Sequence, residues 1–300
     1  MVSLTVDKIR LPPMKSPSRS ALRSGRGTPA RKGVPRRSAP GGDERSLQRA
    51  ETVVQRLIAE RHDRPSLVAR IACEVGARIV VGRLEPGDDV NSVELSRRYQ
   101  TSRTPVREAL MLLEKEGLVD VPPRRRPRVV ALSIGEIREI YRARAALFEL
   151  IASDTARYAA SEEIAGLRAL LGAMERGYRR DDLDDYVWAN VDFYDRNTQL
   201  ANNRTVKRIL DSLLLRTLPL RRLSLSQPGR LGRSFDDHRR LVQAYEDRDA
   251  DLAVALIRSN HINALAALEA HFAAISEPQE TLAEPDERVA GDRRPHPTVL

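Results

Sequence analysis

Arg103 and Arg107 stand four residues apart in the run Ser102-Arg103-Thr104-Pro105-Val106-Arg107-Glu108-Ala109-Leu110. In a helix, side chains four apart project from one face. Val106, Leu110 and Leu113, continued by Ala109, form the core-facing stripe. Ser102 suits the N-cap, and Pro105 falls in the first turn, where a missing N–H costs nothing. Two guanidinium forks at a helix start can reach guanine O6 and N7 in a major groove. The Ser102 and Thr104 hydroxyls, with the free helix N–H groups, suit phosphate oxygens. Taken alone, the spacing favours an ordinary amphipathic helix with solvated arginines.

A second set of residues carries metal or anion chemistry. His238 and His261 fall on two successive helical stretches joined by a short turn, and converge only if both face the interior. Two imidazoles with neutral oxygen donors bind Zn²⁺, Ni²⁺ or a similar ion less tightly than three do. A satisfied core histidine is the plainer reading of either. Arg144, Arg221 and Arg222 can pair with an acidic small molecule or lie on solvated helix faces. His271, near the end of the last helical stretch, reads as a capping or surface residue. The acidic run Asp181-Asp182-Leu183-Asp184-Asp185 lacks the Gly and terminal Glu of a calcium loop. It reads as a helix start, where acidic side chains meet the dipole favourably. Cys73 sits in an apolar helical stretch and reads as core packing. A single cysteine excludes an intramolecular disulfide and a thiolate-rich zinc site.

These groups need elements to position them. Val53, Val54, Leu57 and Ile58 lie on one face of a short helix that ends before Pro65. Leu67, Ile71, Val75, Ile79 and Val80 form one helical stripe, ended by Gly82 and Leu84-Glu85-Pro86-Gly87. A short helix from Ser92 to Tyr99 precedes a turn at Gln100-Thr101 and the helix that starts at Ser102. Leu118 to Val121 and Val129 to Leu132 are β-rich runs bridged by a basic, Pro-containing turn, which predicts a hairpin. Helix, helix, turn, helix, hairpin is the outline of a winged helix-turn-helix. From Ser133 the periodicity is helical over 134–158, 161–178, 181–201, 203–224, 233–247 and 249–274, with a kink expected at Pro219. The expected division is a disordered basic arm over 1–45, a winged helix-turn-helix with a short leading helix over 46–132, a helical domain over 133–275 and a flexible tail over 276–300.

The 300 residues carry 51 Lys+Arg against 42 Asp+Glu, a net charge of +9 and a pI of about 10.1. Residues 1–50 hold 12 basic and 3 acidic residues, so the excess lies in the first fifty. The remainder is balanced, and the high pI by itself describes the arm rather than a folded surface. A basic arm of this kind adds phosphate contact without sequence preference. No apolar run approaches the roughly 18–20 residues of a membrane span, and Lys8, Arg10 and Lys15 interrupt any secretory signal. These features predict a cytoplasmic protein. No Gly-rich phosphate loop in strand–helix context, G-x-S-x-G elbow or H-E-x-x-H pair is present.

The run Pro86-Gly87, Leu95-Ser96, Thr101 to Leu110, Leu113-Glu114 and Glu116-Gly117-Leu118-Val119 resembles the DNA-binding domain of GntR-family bacterial transcription regulators. The resemblance implies that Ser102, Arg103, Thr104 and Arg107 touch DNA and that the wing reaches the minor groove or backbone. The wing departs from the family: Arg124-Arg125-Arg126-Pro127 leaves Arg126 where a Gly usually follows an Arg. A different, more basic turn is expected, with Arg124, Arg125 and Arg126 on phosphate. Val93 stands where some relatives carry Arg. The helical half resembles the FCD effector domain of the same family. Its landmarks are Tyr141, Arg144 and Leu147, Phe193 ten residues before Asn203, Arg222-Leu223-Ser224-Leu225, Ser234, His238-Arg239, Leu241, Ala244, Asp249 and Ala255.

The resemblance implies a mainly α protein: an N-terminal winged helix-turn-helix followed by an all-α bundle of six or seven antiparallel helices around a small-molecule pocket. It also implies a divalent metal, of Zn or Ni type, held by one Asp or Asn and three His. Here Asn190 takes the amide place and His238 matches the second His. Tyr194 and Asn260 stand at the other two His places, with His261 one residue beyond. Phe148 stands where relatives often have Glu. Arg144, Asn190, Tyr194, His238, Asn260 and His261 are thus the candidate effector or metal residues. The expected function is a homodimeric regulator, a repressor, that binds double-stranded DNA at a palindromic operator. A small, carboxylate-type effector changes its DNA affinity, and the protein is nucleoid-associated when bound. The alternatives are a metal-dependent enzyme on the bundle, which would turn over a small acid, and a non-specific nucleic-acid binder that depends on residues 1–45.

Overall fold

The computed structural model describes residues 40–59 and 66–276. The chain runs α1 (Pro40–Ala59), α2 (Leu67–Val80), α3 (Ser92–Arg98), α4 (Arg103–Lys115), β1 (Val119–Asp120), β2 (Arg128–Val129), then α5 (Ile134–Tyr158), α6 (Ser161–Arg179), α7 (Leu183–Leu200), α8 (Arg204–Leu225), α9 (Arg230–Glu246) and α10 (Ala250–Ser276). The expected arm up to residue 39 and the expected tail beyond residue 276 lie outside the described residues.

Local chemistry sets the helix ends. Ser66 Oγ accepts from Ala69 N, Asn91 Oδ1 from Val93 N and Glu94 N, and Asn203 Oδ1 from Val206 N. Ser133 and Glu136 close a capping box at the start of α5. Asp182 Oδ1 accepts from Asp185 N at 3.0 Å, which makes the acidic run the start of α7. Asp184 is buried and paired with Arg222, so Arg222 faces that carboxylate. Each such cap satisfies an amide that the first helical turn leaves open.

The winged half has one core. Leu47, Ala50, Val54, Leu57 and Ile58 of α1 pack with Ile71, Val75 and Ile79 of α2 and with Val106, Leu110 and Leu113 of α4. Cys73 packs partly buried against this cluster, and burial pushes its thiol up to about 11. α1 is longer than its apolar period predicts. It starts at Pro40, so residues 40–45, expected in the arm, are helical. Burial of Leu47 and Ala50 against the next helix supplies what the polar local composition does not.

The hairpin is antiparallel, with Val119 opposite Val129 and Asp120 opposite Arg128. Its strands are two residues each, and Arg128 also bridges to Asp89.

The same core continues into the helical half through Trp188 and Val191 of α7 and Leu215 and Leu218 of α8. Trp188 Nε1 donates to Ser46 Oγ at 3.1 Å, and Arg49 and Arg56 pair with Asp192 and Asp195. The leading helix therefore joins the winged half to the bundle. Helices α5 to α10 enclose a second core around Phe148, Ile151, Leu167, Tyr186, Phe193, Tyr245 and Ile257. α5 lies along α10 and α6 along α7. Pro219 sits inside α8, where it cannot donate to the carbonyl of Leu215. No helix among the described residues is long and apolar enough to cross a membrane.

Candidate functional site

The start of α4 presents one polar face to solvent. Ser102, Arg103, Thr104 and Arg107 are all exposed, while Val106, Ala109, Leu110 and Leu113 hold the helix to the core. Arg103 and Arg107 form no ion pair or side-chain hydrogen bond among the described residues, so both forks can take an outside acceptor. Ser102 occupies the N-cap position with extended backbone, but its hydroxyl makes no cap hydrogen bond. The expectation that Ser102 caps α4 is corrected in that respect, and its Oγ stays open to solvent beside the first amides of the helix.

In the wing, Arg124, Arg125 and Arg126 are exposed. The turn is made without glycine: Arg124 itself takes a positive φ of 61°. The left-handed residue is thus Arg124, two residues before the position where the family pattern expects Gly. Arg126 and Arg128 both pair with Asp89, at 3.7 and 2.8 Å. Asp89 thereby ties the wing to the loop before α3 and neutralises part of its charge.

The candidate effector residues meet in the bundle. A cavity of about 40 Å³ is lined by Tyr141 and Arg144 of α5, Asn190 and Tyr194 of α7, Arg221 and Ser224 of α8, Arg230 and Ser234 of α9, and Asn260 and His261 of α10. Five of the six expected residues line it. His238 is buried but lies behind Asn190, outside the lining.

Hydrogen bonds fix the orientation of each polar group. Arg221 Nη1 donates to Asn190 Oδ1 at 3.0 Å, so the amide nitrogen of Asn190 faces the other way. That nitrogen donates to His238 Nε2 at 3.1 Å. His238 Nδ1 donates to the carbonyl of Ser234 at 2.6 Å. Asn260 Nδ2 donates to the Tyr194 hydroxyl at 2.9 Å, and Arg230 Nη2 donates to Asn260 Oδ1 at 2.9 Å. Arg144 Nη1 donates to Thr217 Oγ1 at 2.8 Å. The Arg221 guanidinium lies 4.9 Å from the Tyr194 ring centroid, and that of Arg144 lies 5.3 Å from Phe148.

Burial and like charge set the protonation states. Burial holds His238 down to about 4, and the Arg230 and Arg221 charges push the same way. Burial and the Arg144 charge hold His261 down to about 3. Burial raises Tyr141 and Tyr194, which keeps both as neutral phenols. Burial, then Arg144, lowers Arg221 to about 10, so it remains a cation at neutral pH.

These states do not fit the divalent metal that the resemblance implies. Both ring nitrogens of His238 are engaged, Tyr194 is an un-ionised phenol accepting a hydrogen bond, and Asn260 is turned to Tyr194 and Arg230. Three guanidiniums beside the same space oppose a further cation. The expected set Asn190, Tyr194, His238 and Asn260 therefore lies in two hydrogen-bonded chains, Arg221–Asn190–His238 and Arg230–Asn260–Tyr194, rather than as converging ligands.

Arg230 was not expected here. The helical period placed the start of α9 near residue 233, whereas the helix begins at Arg230, just after Gly229 with its φ of 71°. The Pro228-Gly229 pair was the available signal, since it places Arg230 in the first turn. His271 is half-buried, with its ring against Phe272.

Both halves of the chain match known families. Residues 67–129 match the family described as bacterial regulatory proteins, gntR family, and residues 139–264 match the FCD domain. The chain is 26% identical over 204 residues to a gluconate operon transcriptional repressor of Bacillus licheniformis, spanning 66% of this chain and 83% of that protein. It is 25% identical over 179 residues to the HTH-type transcriptional repressor RspR of Escherichia coli, spanning 60% of this chain and 78% of that one. The solved structure of E. coli McbR/YncC shares the fold, with a TM-score of 0.60 and 20% identity over 70% of this chain and all of that chain. With α4 exposed after the pattern of a recognition helix and a polar cavity inside the six-helix bundle, the chain belongs to the GntR family of bacterial regulatory proteins and carries an FCD domain.

Proposed function

We propose that the protein is a homodimeric repressor that reads a palindromic operator through α4 and releases it when a small acidic molecule fills the bundle cavity. The observation that carries this reading is the face of α4: Arg103 and Arg107 exposed side by side at the N-terminal end of a helix whose other face is buried. Arg103 and Arg107 read base edges, since each guanidinium fork can bond guanine O6 and N7 together. Ser102 and Thr104 contact phosphate and fix the register. Arg124, Arg125 and Arg126 of the wing add phosphate contact.

Repression is supported by the two relatives above, both named as transcriptional repressors. A dimer is supported by the docking of helix-turn-helix modules on two half-sites one helical turn apart. An acidic effector is supported by the buried arginines of the cavity. The relatives are regulators, and we read the bundle as a receptor rather than an enzyme, acting in the bacterial cytoplasm and on the nucleoid when bound to DNA.

The test is a gel-shift titration on duplex DNA from upstream of the protein's own gene, with small carboxylates added in turn. The reading expects a two-fold symmetric footprint and release by at least one acid. Binding indifferent to duplex sequence would contradict it.

A further inference from the structure

The charge of the bundle cavity is only partly countered among the described residues. Arg144, Arg221 and Arg230 come from α5, α8 and α9, and only 5%, 8% and 6% of each is exposed. None forms an ion pair among the described residues. Their hydrogen bonds go to neutral acceptors, namely Thr217 Oγ1, Asn190 Oδ1 and Asn260. Arg144 Nε and Arg230 Nε and Nη1 are buried with no partner. The other groups lining the space are neutral: Tyr141 and Tyr194 as phenols, His261 as imidazole, Ser224, Ser234 and Asn260. Asp237 is the one carboxylate whose field reaches the cluster, and it acts on Arg230 alone from a half-buried position. Three cations against one carboxylate leave the site with an excess of about two positive charges. Buried charges are ordinarily paired, because desolvation is costly without a counter-charge.

The size of the space narrows the ligand. A cavity of about 40 Å³ gives room for about three waters, at roughly 10–15 Å³ of such volume per molecule. Three waters occupy about 90 Å³ of liquid, the bulk of an ion of a few heavy atoms and less than that of a six-carbon acid. We propose that this cavity is a metal-free receptor for a compact dianion, a two- to three-carbon dicarboxylate or inorganic phosphate, held by Arg144, Arg221 and Arg230 in place of a divalent ion. The inference rests on the effector reading above and names the ligand class of that same site. Guanidinium forks suit carboxylate and phosphate alike, through paired N–H donors.

The experiment uses the full-length protein dialysed against EDTA, with metal content checked by elemental analysis. Thermal shift and calorimetry are run with malonate, inorganic phosphate, acetate and gluconate at matched ionic strength. Malonate or phosphate is expected to raise Tm saturably, and the difference between the two names the source. Acetate binds at least tenfold more weakly, and added Zn²⁺ changes the dianion affinity by less than twofold. Arg230→Gln and Arg221→Gln each abolish the dianion shift. Arg221→Gln also leaves the ligand-free Tm equal to or above wild type, because it removes a buried cation that no carboxylate faces, whereas a purely structural arginine would lower it.

A shift that needs Zn²⁺ or Ni²⁺ and vanishes in EDTA overturns the metal-free receptor while leaving an effector site in place. A dianion shift retained in both arginine variants overturns the assignment to this cavity. A response to gluconate with none to malonate or phosphate overturns the size and charge class alone. If no small molecule shifts Tm or operator affinity, the effector reading itself fails.

Discussion

Arg144 reaches from the cavity to the hydroxyl of Thr217 on α8, at 2.8 Å. The residue before Thr217, Arg216, lays its side chain over Gly117 at the end of α4, so close that a methyl on Gly117 would lie 2.7 Å from Arg216 Cδ. One turn of α8, just before Pro219, thus touches Arg144 of the cavity on one side and the turn that follows α4 on the other. A ligand that draws Arg144 away from Thr217 acts directly on this turn. In Thr217→Val the acceptor is gone at nearly constant shape. The ratio of operator affinities without and with ligand, typically 5- to 150-fold for a coupled pair of sites, is expected to fall toward one while ligand still binds. Gel-shift and calorimetry on the same variant separate the two. Normal coupling in Thr217→Val would show that this turn does not carry the signal.

Gly117 takes a φ of +70°, a conformation that side chains rarely adopt, under the Arg216 stem. Gly117→Ala is expected to destabilise by about 1–3 kcal/mol, from backbone strain and the contact together. Arg216→Ala in the same chain relieves the contact but not the strain, so a double-mutant cycle by denaturant unfolding should recover part of the loss. Simple additivity of the two changes would place the cost in the backbone alone.

His238 and His261 give the fold a pH dependence with a definite sign. Both are held below their ordinary 6.5, to about 4 and about 3, so the unfolded chain binds protons that the folded chain refuses. Stability is unaffected by them above pH 6.5 and is lost as pH falls below 6.5, down to about 4 for His238 and about 3 for His261. At pH 5.5 each contributes a loss of roughly 1.4 kcal/mol. Denaturant unfolding at pH 7.5 and 5.5 measures it, and His261→Gln should shrink the difference. An unchanged difference in that variant would mean that His261 is not the neutral buried imidazole described.

Residues 1–39 hold ten basic residues and one acidic. Their removal is expected to weaken operator binding and flatten its dependence on salt, since each released counterion steepens that slope. Discrimination between operator and unrelated duplex should survive the truncation. Loss of all DNA binding would move the function from α4 to the arm.

What the sequence made legible follows from how local each signal is. α4 was readable because its apolar stripe, Pro105 and two arginines lie within nine residues, and α5 to α8 because helical period and caps lie along the chain. The start of α1 was not, because Leu47 and Ala50 become core only against α2. In the cavity, the convergence of Arg144, Asn190, Tyr194, Asn260 and His261 was expected from the resemblance to the FCD domain, since helical period alone does not say which faces meet. The direction of each hydrogen bond was not, and those directions turn a ligand pattern into two hydrogen-bonded chains. The burial of Arg230 was hidden by a helix start misplaced by three residues, and the empty hydroxyl of Ser102 by a capping rule that the backbone satisfies without it.

The central claim is that α4 reads DNA sequence through Arg103 and Arg107, and the direct measurement is the operator affinity of Arg103→Ala and Arg107→Ala beside that of wild type. Each change is expected to cost roughly 1–3 kcal/mol on the operator, about 5- to 150-fold. The loss on unrelated duplex of equal length should be smaller, so that specificity falls with affinity. Wild-type affinity and wild-type discrimination in both variants would contradict the account.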